Sequence, residues 1–469
     1  MNTVLPDYLT DHAADLAALQ RQVAHDRWLA ATGQDNGTDA VALNQYERFR
    51  HVTDGHLFHT ALDRGDVAFA QELALWYFRT NLAAPTLSLR QAQRATTAPW
   101  RGSELSHSQL LAAHRVAESP QDREMLGQAL AAVSAQLGEH RLRWLDAYAG
   151  ARQRLGFPTH GHLVRALHPD VDLWVADARS WLAKTREDFL RRWRDWQRID
   201  GLTEPRLLDT RLVAERAGSA GLSGDPMAAV VDTVASWGMS GALRRVTIDT
   251  TARAGKLSFS FCSPVAPPRD VRVSVGTGRS LRDLPVLLHE FGHALHFTVG
   301  VNGPADLWRT SPALTEGFGF ALEQIAHQPS WQREFLGREV PQEALARLRF
   351  SREAVQRLVA AGLCYEMAVH DGCPDPEGEY TRVFSAEFEV AAPGAEAFSR
   401  MQAYLEGQPC YPLVYHQAFR LRAPLWEFLC QRGGGEWYST THANGALQGL
   451  FRQLGATTLE DWTTELPTS

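Results

Sequence analysis

The chain has 469 residues, of which 44% are hydrophobic and 22% charged, an ordinary globular composition with material for two or three average domains or one large two-lobed one. Its formal net charge of -7 is mild, and no run of like charges indicates a nucleic-acid partner. No apolar run reaches the roughly 20 residues that cross a bilayer, and the N-terminus lacks a basic segment followed by an apolar one. Neither a membrane span nor a secretory signal is therefore predicted. The five Cys residues are odd in number and contain no CxxC pair, which favours a reducing cytoplasm.

Helical periodicity dominates both ends of the chain. It predicts successive amphipathic helices over residues 7–200 and again from residue 311 onwards. An aromatic stripe at helical spacing, which includes Trp174, Trp181, Phe189, Trp193 and Trp196, is typical of core packing. The Gly- and Ser-rich residues 217–226 are the clearest loop or hinge in the first half, and residues 433–435 predict a turn that ends a helix, in preference to a mobile loop. The predicted division is a helical N-terminal lobe over residues 1–215 and a second lobe over residues 216–469.

The pattern changes to strict alternation near the middle of the chain. Residues 246–250, 257–262 and 271–275 alternate apolar and polar side chains, which predicts half-buried strands. Gly255 with Lys256, and the Pro-rich residues 263–268, would be the turns between them. A strand here can hold an extended peptide by backbone pairing, but a purely structural hairpin explains the pattern equally well.

The most informative segment is residues 284–299, an apolar helix pattern that contains the pentamer His-Glu-Phe-Gly-His. His289 and His293 are four residues apart, so on a helix both imidazoles lie on one face and can bind the same Zn²⁺. Glu290 follows the first His, where its carboxylate can take a proton from zinc-bound water. Residues of this type at this spacing predict a zinc site with a general base.

Catalytic zinc usually has three protein ligands and one open position, so a third ligand is expected from another element. Residues 311–325 predict a second amphipathic helix on which Glu316 and Glu323 share a face with Phe320. Because a carboxylate in an apolar band is costly to bury unpaired, we assign Glu316 as the third ligand of one Zn²⁺ ion. Glu323 is expected either to orient a ligand imidazole through its second N–H or to be a solvated helix carboxylate.

Two further residues compete for the third position. His296 lies on nearly the same helix face as His293, but three ligands from one straight helix would strain tetrahedral coordination. A hydrogen bond to a neighbouring group is the favoured expectation for His296. Asp306, in a predicted loop, is a weaker candidate.

These residues resemble the M3 family of zinc metallopeptidases, the thimet oligopeptidase and oligoendopeptidase F group. Residues 289–296 and the E-x6-E spacing of Glu316 and Glu323 match the metal segment of that family. Further likeness lies in residues 154–163, 259–264 (similar to the substrate-facing strand of the family) and 363–371. The resemblance implies a mainly α, two-lobed, zincin-like molecule with a small β-sheet next to the metal helix and a central channel that admits unfolded peptides. The chain is short for the family, so a reduced N-terminal lobe and a more open channel are expected.

The resemblance is incomplete near the C-terminus. It implies that His416 stabilises the oxyanion of the tetrahedral intermediate, and Tyr415 is the first candidate to assist it in place of the family Tyr residues. The positions expected to carry Tyr hold Leu421, Leu425 and Phe428, whose side chains donate no hydrogen bond. Other residues that can take their place are Tyr411, Arg420 and Arg422, since an Arg guanidinium can grip an oxyanion or a carboxylate.

The resulting hypothesis is a cytoplasmic zinc-dependent oligopeptidase that hydrolyses short peptides, with zinc held by His289, His293 and Glu316 and with Glu290 as the base. Two alternatives stay open: a specialised zinc hydrolase or lyase that processes one dedicated peptide, as in natural-product maturation, and a catalytically inert peptide-binding homologue. The intact Glu290 disfavours the inert homologue.

Overall fold

The computed structural model describes residues 5–34, 39–217, 225–276, 280–370, 373–392, 408–439 and 442–454, and the structural statements below concern these residues. Most of the predicted loop at residues 217–226 lies outside them. The chain is mainly helical, as the resemblance implied, and none of the described helices is both long and apolar enough to cross a bilayer.

The helices are α1 (Asp7–Thr10), α2 (Ala13–Ala31), α3 (Asp39–Arg48), α4 (His56–Asp63), α5 (Val67–Asn81), α6 (Ala83–Ala95), α7 (His107–Val116), α8 (Pro120–Gln136), α9 (Gly138–Arg154), α10 (His160–Leu167), α11 (Val171–Asp200), α12 (Leu212–Ala217), α13 (Pro226–Ser236), α14 (Ser240–Leu243), α15 (Asp283–Val299), α16 (Pro304–Arg309), α17 (Pro312–Glu323), α18 (Pro329–Leu336), α19 (Gln342–His370), α20 (Pro376–Phe388), α21 (Tyr411–Gly433) and α22 (His442–Leu454). Short 3-10 helices lie at Arg50–Val52, Leu207–Arg211, Gln324–His327 and Trp437–Ser439. The strands are β1 (Thr97–Trp100), β2 (Ser103–Ser106), β3 (Val246–Asp249), β4 (Phe261–Ala266) and β5 (Asp270–Ser274).

The chain divides into two compact units, each assembled from separate segments. The first unit comprises residues 1–72, 217–345 and 417–469, and the second unit comprises residues 73–216 and 346–416. The sequence-based division between residues 215 and 216 lies one residue before the junction between residues 216 and 217, and it does not include the other three junctions of these units. Helical periodicity indicates which face of a helix is buried, and it carries no information on which distant segment covers that face.

The small sheet of the first unit has the order β3-β5-β4 in the described part of the chain, with β3 parallel and β4 antiparallel to β5. The predictions for β3 and β5 are confirmed to within one residue at each end. The prediction for the strand between them is wrong, since β4 begins at Phe261 and runs through residues expected to form a turn, with an irregular register between Ser263 and Ala266. Leu257 and Phe259 are 38% and 52% exposed, so their alternation belongs to a surface segment.

The aromatic stripe of α11 forms part of the core of the second unit, as predicted. Phe189 and Trp193 are fully buried and stack on Phe350 of α19, with ring centroids 5.3 and 5.7 Å from it. The other three members of the stripe, all Trp, are partly buried against the same core: Trp174, Trp181 and Trp196. At the C-terminal end, α21 ends at Gly433, which confirms the predicted helix-ending turn.

Candidate metal centre

Helix α15 begins and ends where the sequence predicts. Asp283, in its first turn, accepts hydrogen bonds from the backbone N and the Oγ of Ser280, at 2.8 and 2.9 Å. The helix ends at Val299, and Gly300 closes it by donating its N–H to the carbonyl of His296 at 2.7 Å. Its Leu side chains and Phe291 are buried, so the helix is held in one orientation about its axis.

Two glycines let α15 and α17 pack closely, both within the first unit. A Cβ built on Gly292 of α15 would lie 2.7 Å from Leu322 Cδ1 of α17. A Cβ built on Gly319 of α17 would lie 2.7–2.8 Å from three ring atoms of His289. Since real Cβ atoms do not approach other atoms so closely, the lack of side chains at these positions allows the His289 ring to lie against the α17 backbone.

Three potential metal ligands converge where the two helices meet. His289 Nε2 lies 2.9 Å from His293 Nε2 and 3.2 Å from Glu316 Oε2, and the distance from His293 Nε2 to Glu316 Oε2 is 3.8 Å. Both His residues are buried, at 6% and 7% exposure, and the Glu316 side chain is 16% exposed. These residues form one of the groups in the described part of the chain that could hold a metal ion. We call them the first group.

Glu323 contacts the other side of the His289 ring, with Oε1 3.0 Å from Nδ1. An imidazole that donates its Nδ1–H to this carboxylate presents the Nε2 lone pair to Glu316 and to His293. Lone pairs of nitrogen and carboxylate oxygen repel unless a proton or a metal cation lies between them. The donor set of two imidazole nitrogens and one carboxylate oxygen is one that Zn²⁺ accepts.

The charges around the first group are strongly coupled. Burial lowers the pKa of His289, but the hydrogen bonds to Glu316 and Glu323 outweigh it and raise this pKa to about 10. For Glu316, burial raises the pKa, and the two imidazoles lower it to well below the usual range of a Glu. The first group therefore attracts positive charge, as a metal site requires.

Glu290, the predicted base, is fixed by the neighbouring strand. Its Oε2 accepts a hydrogen bond from the backbone N–H of Cys262 in β4, at 2.8 Å. Burial raises the pKa of Glu290, and the nearby imidazoles of His289 and His293 offset part of that increase. No local sequence pattern predicts this backbone contact, since it depends on the position of β4 beside α15.

Neither of the two competing residues belongs to the first group. His296 is fully buried against Phe451, and within the described residues neither of its ring nitrogens has a hydrogen-bond partner, so the expected bond to a neighbour is wrong. Burial, followed by the charge of His293, lowers the pKa of His296 to about 3. Asp306 lies in α16, where a loop was predicted, and accepts hydrogen bonds from the backbone N and Nδ2 of Asn302.

His416 and Tyr415 belong to the second unit. His416 is fully buried, its Nε2 lies 2.8 Å from Asp177 Oδ2, and its ring meets Trp174 edge-on. Tyr415 is partly buried against Tyr411, with ring centroids 5.0 Å apart. The first group includes neither residue, and the contact of His416 and Tyr415 with an oxyanion stays a prediction.

The Leu side chains that replace the expected Tyr residues have a packing role. Leu421 and Leu425 of α21 are buried in the first unit. A Cβ at Gly317 of α17 would lie 3.0 Å from Leu421 Cβ and 3.4 Å from Leu425 Cδ1, so both side chains support the helix that carries Glu316. These two positions therefore contribute apolar packing to α17 and no hydrogen-bond donor.

No protein-family model matches the sequence, and no curated protein matches it either. Solved structures, in contrast, match nearly the whole chain. A structure of PZ peptidase A with an inhibitor is similar at a TM-score of 0.60 and 13% identity, over 94% of this chain and 91% of that one. A protein named as an oligoendopeptidase F matches at a TM-score of 0.60 and 14% identity, over 98% and 89% of the two chains.

A third solved structure, named as an oligoendopeptidase F from Bacillus anthracis str. Ames, matches at a TM-score of 0.52 and 14% identity, covering 98% of this chain and 91% of that one. Since the identities are low, these similarities concern the fold. They confirm the mainly α fold expected from the resemblance to the M3 peptidases.

Proposed function

We propose that this chain is a zinc-dependent oligopeptidase that hydrolyses short peptides. The observation that carries the proposal is the convergence of His289 Nε2, His293 Nε2 and Glu316 Oε2, with Glu290 held beside them. Three protein ligands of this kind, with one position left for water or substrate, are the ligand set of catalytic zinc. The fold shared with PZ peptidase A and the oligoendopeptidase F proteins supports the same function.

A zinc ion held by these three residues would be a Lewis acid that lowers the pKa of a water molecule and polarises a peptide carbonyl. The other tasks fall to the side chains of the chain. Glu290 accepts the proton of the attacking water and returns it to the leaving amine, and its raised pKa suits it to both transfers. Glu323 keeps the His289 ring in the orientation that presents Nε2.

The substrate class follows from the neighbourhood of Glu290. β4 is one of the two edge strands of the described sheet, and the backbone N–H of its Cys262 donates to the Glu290 carboxylate. An extended peptide that pairs with this strand would place a peptide bond close to the base. Phe259, which is exposed just before β4, offers an apolar contact for a substrate side chain.

The predicted oxyanion role of His416, with Tyr415, is retained in the proposal. The hydrogen bond between His416 Nε2 and Asp177 would hold the imidazole in one orientation. The cytoplasmic location also remains a prediction.

The proposal is tested by replacing the base without disturbing the ligands. Glu290→Gln keeps an oxygen that can accept the Cys262 N–H, but it removes the proton acceptor. We expect peptide hydrolysis to fall by about 10²–10⁴-fold, with the zinc content of the purified protein unchanged. Glu334→Gln, at an exposed position on α18, is the matched control and should retain full activity.

Zinc analysis and a broad panel of fluorogenic peptides complete the experiment. Cleavage of many unrelated sequences supports a general oligopeptidase, whereas zinc retained without any cleavage would contradict it. Undiminished hydrolysis by Glu290→Gln would overturn the assigned base, and undiminished zinc content in His293→Ala would overturn the ligand set.

A further inference from the structure

A second group of potential metal ligands lies entirely within the second unit. It consists of His160 at the start of α10, Glu366 in α19 and Cys410 just before α21, and we call it the second group. Their nitrogen, oxygen and sulfur atoms all lie within 4.8 Å of one another. The residues are buried, at 2%, 5% and 0% exposure respectively. Side chains of this kind seldom meet in an interior without a partner that balances their charges.

The carboxylate of Glu366 links the other two members. Its Oε1 lies 3.2 Å from His160 Nε2 and accepts the backbone N–H of Cys410 at 3.0 Å. Cys410 has a φ of +58°, a conformation that non-glycine residues rarely adopt. The backbone is thus held in an unfavourable conformation at the residue that brings the thiol to this group.

The imidazole of His160 is oriented from its far side. The hydroxyl of Tyr148 lies 2.6 Å from His160 Nδ1. The Tyr148 ring stacks on Trp144, whose indole N–H donates to Thr86 Oγ1 at 2.9 Å. When Nδ1–H donates to the Tyr148 oxygen, Nε2 presents its lone pair to the carboxylate, which is how metal-binding histidines are usually held in place.

A small cavity adjoins the group, with residues from several helices of the second unit in its wall: Leu82, Trp144, Tyr148, His160, Glu366, Gln408 and Pro409. Its volume of about 10 Å³ is close to the space that one water molecule needs. A single ion or water fits there, and an organic ligand or a peptide does not.

We propose that His160, Glu366 and Cys410 form a second metal site, buried and with a structural role, that binds one Zn²⁺ ion. Zinc accepts nitrogen, oxygen and thiolate sulfur together, whereas Mg²⁺ and Ca²⁺ require oxygen ligands. Cys410 binds as the thiolate, and its proton leaves to solvent. The cavity supplies the water that completes four-coordination. The ion joins α10, α19 and the start of α21, so that its binding energy stabilises the second unit.

The competing arrangement needs no metal. Tyr148 O–H would donate to His160 Nδ1, His160 Nε2–H would donate to Glu366, and Cys410 would remain a thiol. The two arrangements differ in one measurable property, which is whether the sulfur of Cys410 is bonded to a metal.

Cobalt substitution measures that property on the full-length chain. The protein is stripped of metal and titrated with Co²⁺, and its near-ultraviolet absorption is recorded. A thiolate bonded to Co²⁺ gives an intense charge-transfer band, and the ligands of the first group, which are nitrogen and oxygen, do not. We expect the wild-type chain to bind two Co²⁺ ions and to show this band.

Cys410→Ser should abolish the band and remove one Co²⁺ ion per chain. Cys262→Ser is the matched control. Cys262 lies beside Glu290, so a thiolate band that came from the first group would come from this cysteine. The band should persist in Cys262→Ser and also in His293→Ala.

Glu366→Gln provides a second variant if Cys410→Ser does not fold, because its amide oxygen can still accept the Cys410 N–H. It should keep the fold and weaken Co²⁺ binding by at least tenfold. A wild-type chain that shows no thiolate band at saturating Co²⁺ would overturn the proposal, as would a band that survives Cys410→Ser.

Discussion

The first and second groups use similar chemistry in opposite settings. The first group has two imidazoles and a carboxylate on α15 and α17, and the Glu316 side chain retains 16% exposure. The second group has one imidazole, one carboxylate and one thiol, and its Cys410 is fully buried beside a cavity with room for one water molecule or ion. The two groups therefore have the same number of ligands, and they differ in how far these ligands are exposed to solvent.

The side chains that orient the ligand imidazoles also differ between the two groups. His289 is oriented by the carboxylate of Glu323, which brings a further negative charge to the proposed zinc site. His160 is oriented by the neutral hydroxyl of Tyr148, inside a core of stacked aromatic rings. A charged outer contact suits a reactive metal site, and a neutral, packed contact suits a structural one.

The largest effect should come from Gly319→Ala, which tests the first group alone. The new Cβ would lie 2.7–2.8 Å from the His289 ring, so the ligand must move. We expect the zinc affinity of the first group to fall by more than about 100-fold, which is the upper end of the loss when a side chain that only orients a ligand is removed. Peptide hydrolysis should fall with it. Equilibrium dialysis and a peptide assay would measure both.

Gly317→Ala is the matched control for that substitution. It adds the same methyl group to the same helix, but the nearest atoms belong to Leu421, Ala418 and Leu425 and not to a ligand. Zinc content should be unchanged, with at most a modest change in the midpoint of thermal unfolding. If Gly319→Ala bound zinc as tightly as Gly317→Ala, the described position of His289 would be wrong.

A change of pH should alter the zinc affinity of the first group nearly as much as Gly319→Ala does. Without metal, burial lowers the pKa of His289 but the bonds to Glu316 and Glu323 raise it to about 10. A ligand imidazole must be unprotonated, so below pH 10 zinc has to displace a proton and its affinity rises with pH. The expected slope is about tenfold per pH unit for one displaced proton.

Competition with a chelator at pH 7, 8 and 9 would measure this slope. The Cys410→Ser variant should be used, so that the second group does not contribute to the zinc bound. An affinity independent of pH would show that His289 is neutral in the metal-free protein and would contradict the charge coupling.

The two groups also show how far the sequence alone leads. His289 and His293 are one helical turn apart, and Glu316 lies on the next amphipathic helix but one, so periodicity and residue type were sufficient to predict the first group. The second group is formed by residues 160, 366 and 410, which lie on separate elements with no common spacing. Only the folded backbone brings these residues together.

The other features that the sequence analysis missed also depend on contacts between distant segments. The segment at residues 257–260 alternates like a strand, but β4 begins at Phe261 and continues through Pro264 with an irregular register. The partner of His416, Asp177, is 239 positions away, and no local pattern identifies it. Local periodicity predicted most of the helices near the first group, whereas contacts between distant segments required the structure.

A smaller effect is expected from Glu323→Gln, which tests the outer contact of the first group. The amide can still accept the Nδ1–H of His289, but it lacks the negative charge that raises the basicity of the ring. We expect zinc affinity to fall by about 10–100-fold, with the second group unaffected. Chelator competition would show this, and Glu334→Gln is again the control. An unchanged affinity would mean that the contact only orients the ring.

The smallest effect should come from Tyr148→Phe, the corresponding test of the second group. The substitution removes the hydroxyl bonded to His160 Nδ1, and a buried nitrogen left without a partner costs about 1–3 kcal/mol in the free energy of unfolding. The affinity of the second group for Co²⁺, read from the thiolate band, should fall by about 10–100-fold.

Tyr77→Phe separates that effect from the general cost of removing a buried hydroxyl. Tyr77 donates to the carbonyl of Ala151 at 2.9 Å in the same unit, and this carbonyl also accepts the N–H of Leu155, so it keeps a partner. Urea unfolding should show a cost of about 0.5–1.5 kcal/mol, and the Co²⁺ titration should match that of the wild type. Equal losses of Co²⁺ affinity in both variants would mean that Tyr148 acts through core stability and does not orient a ligand.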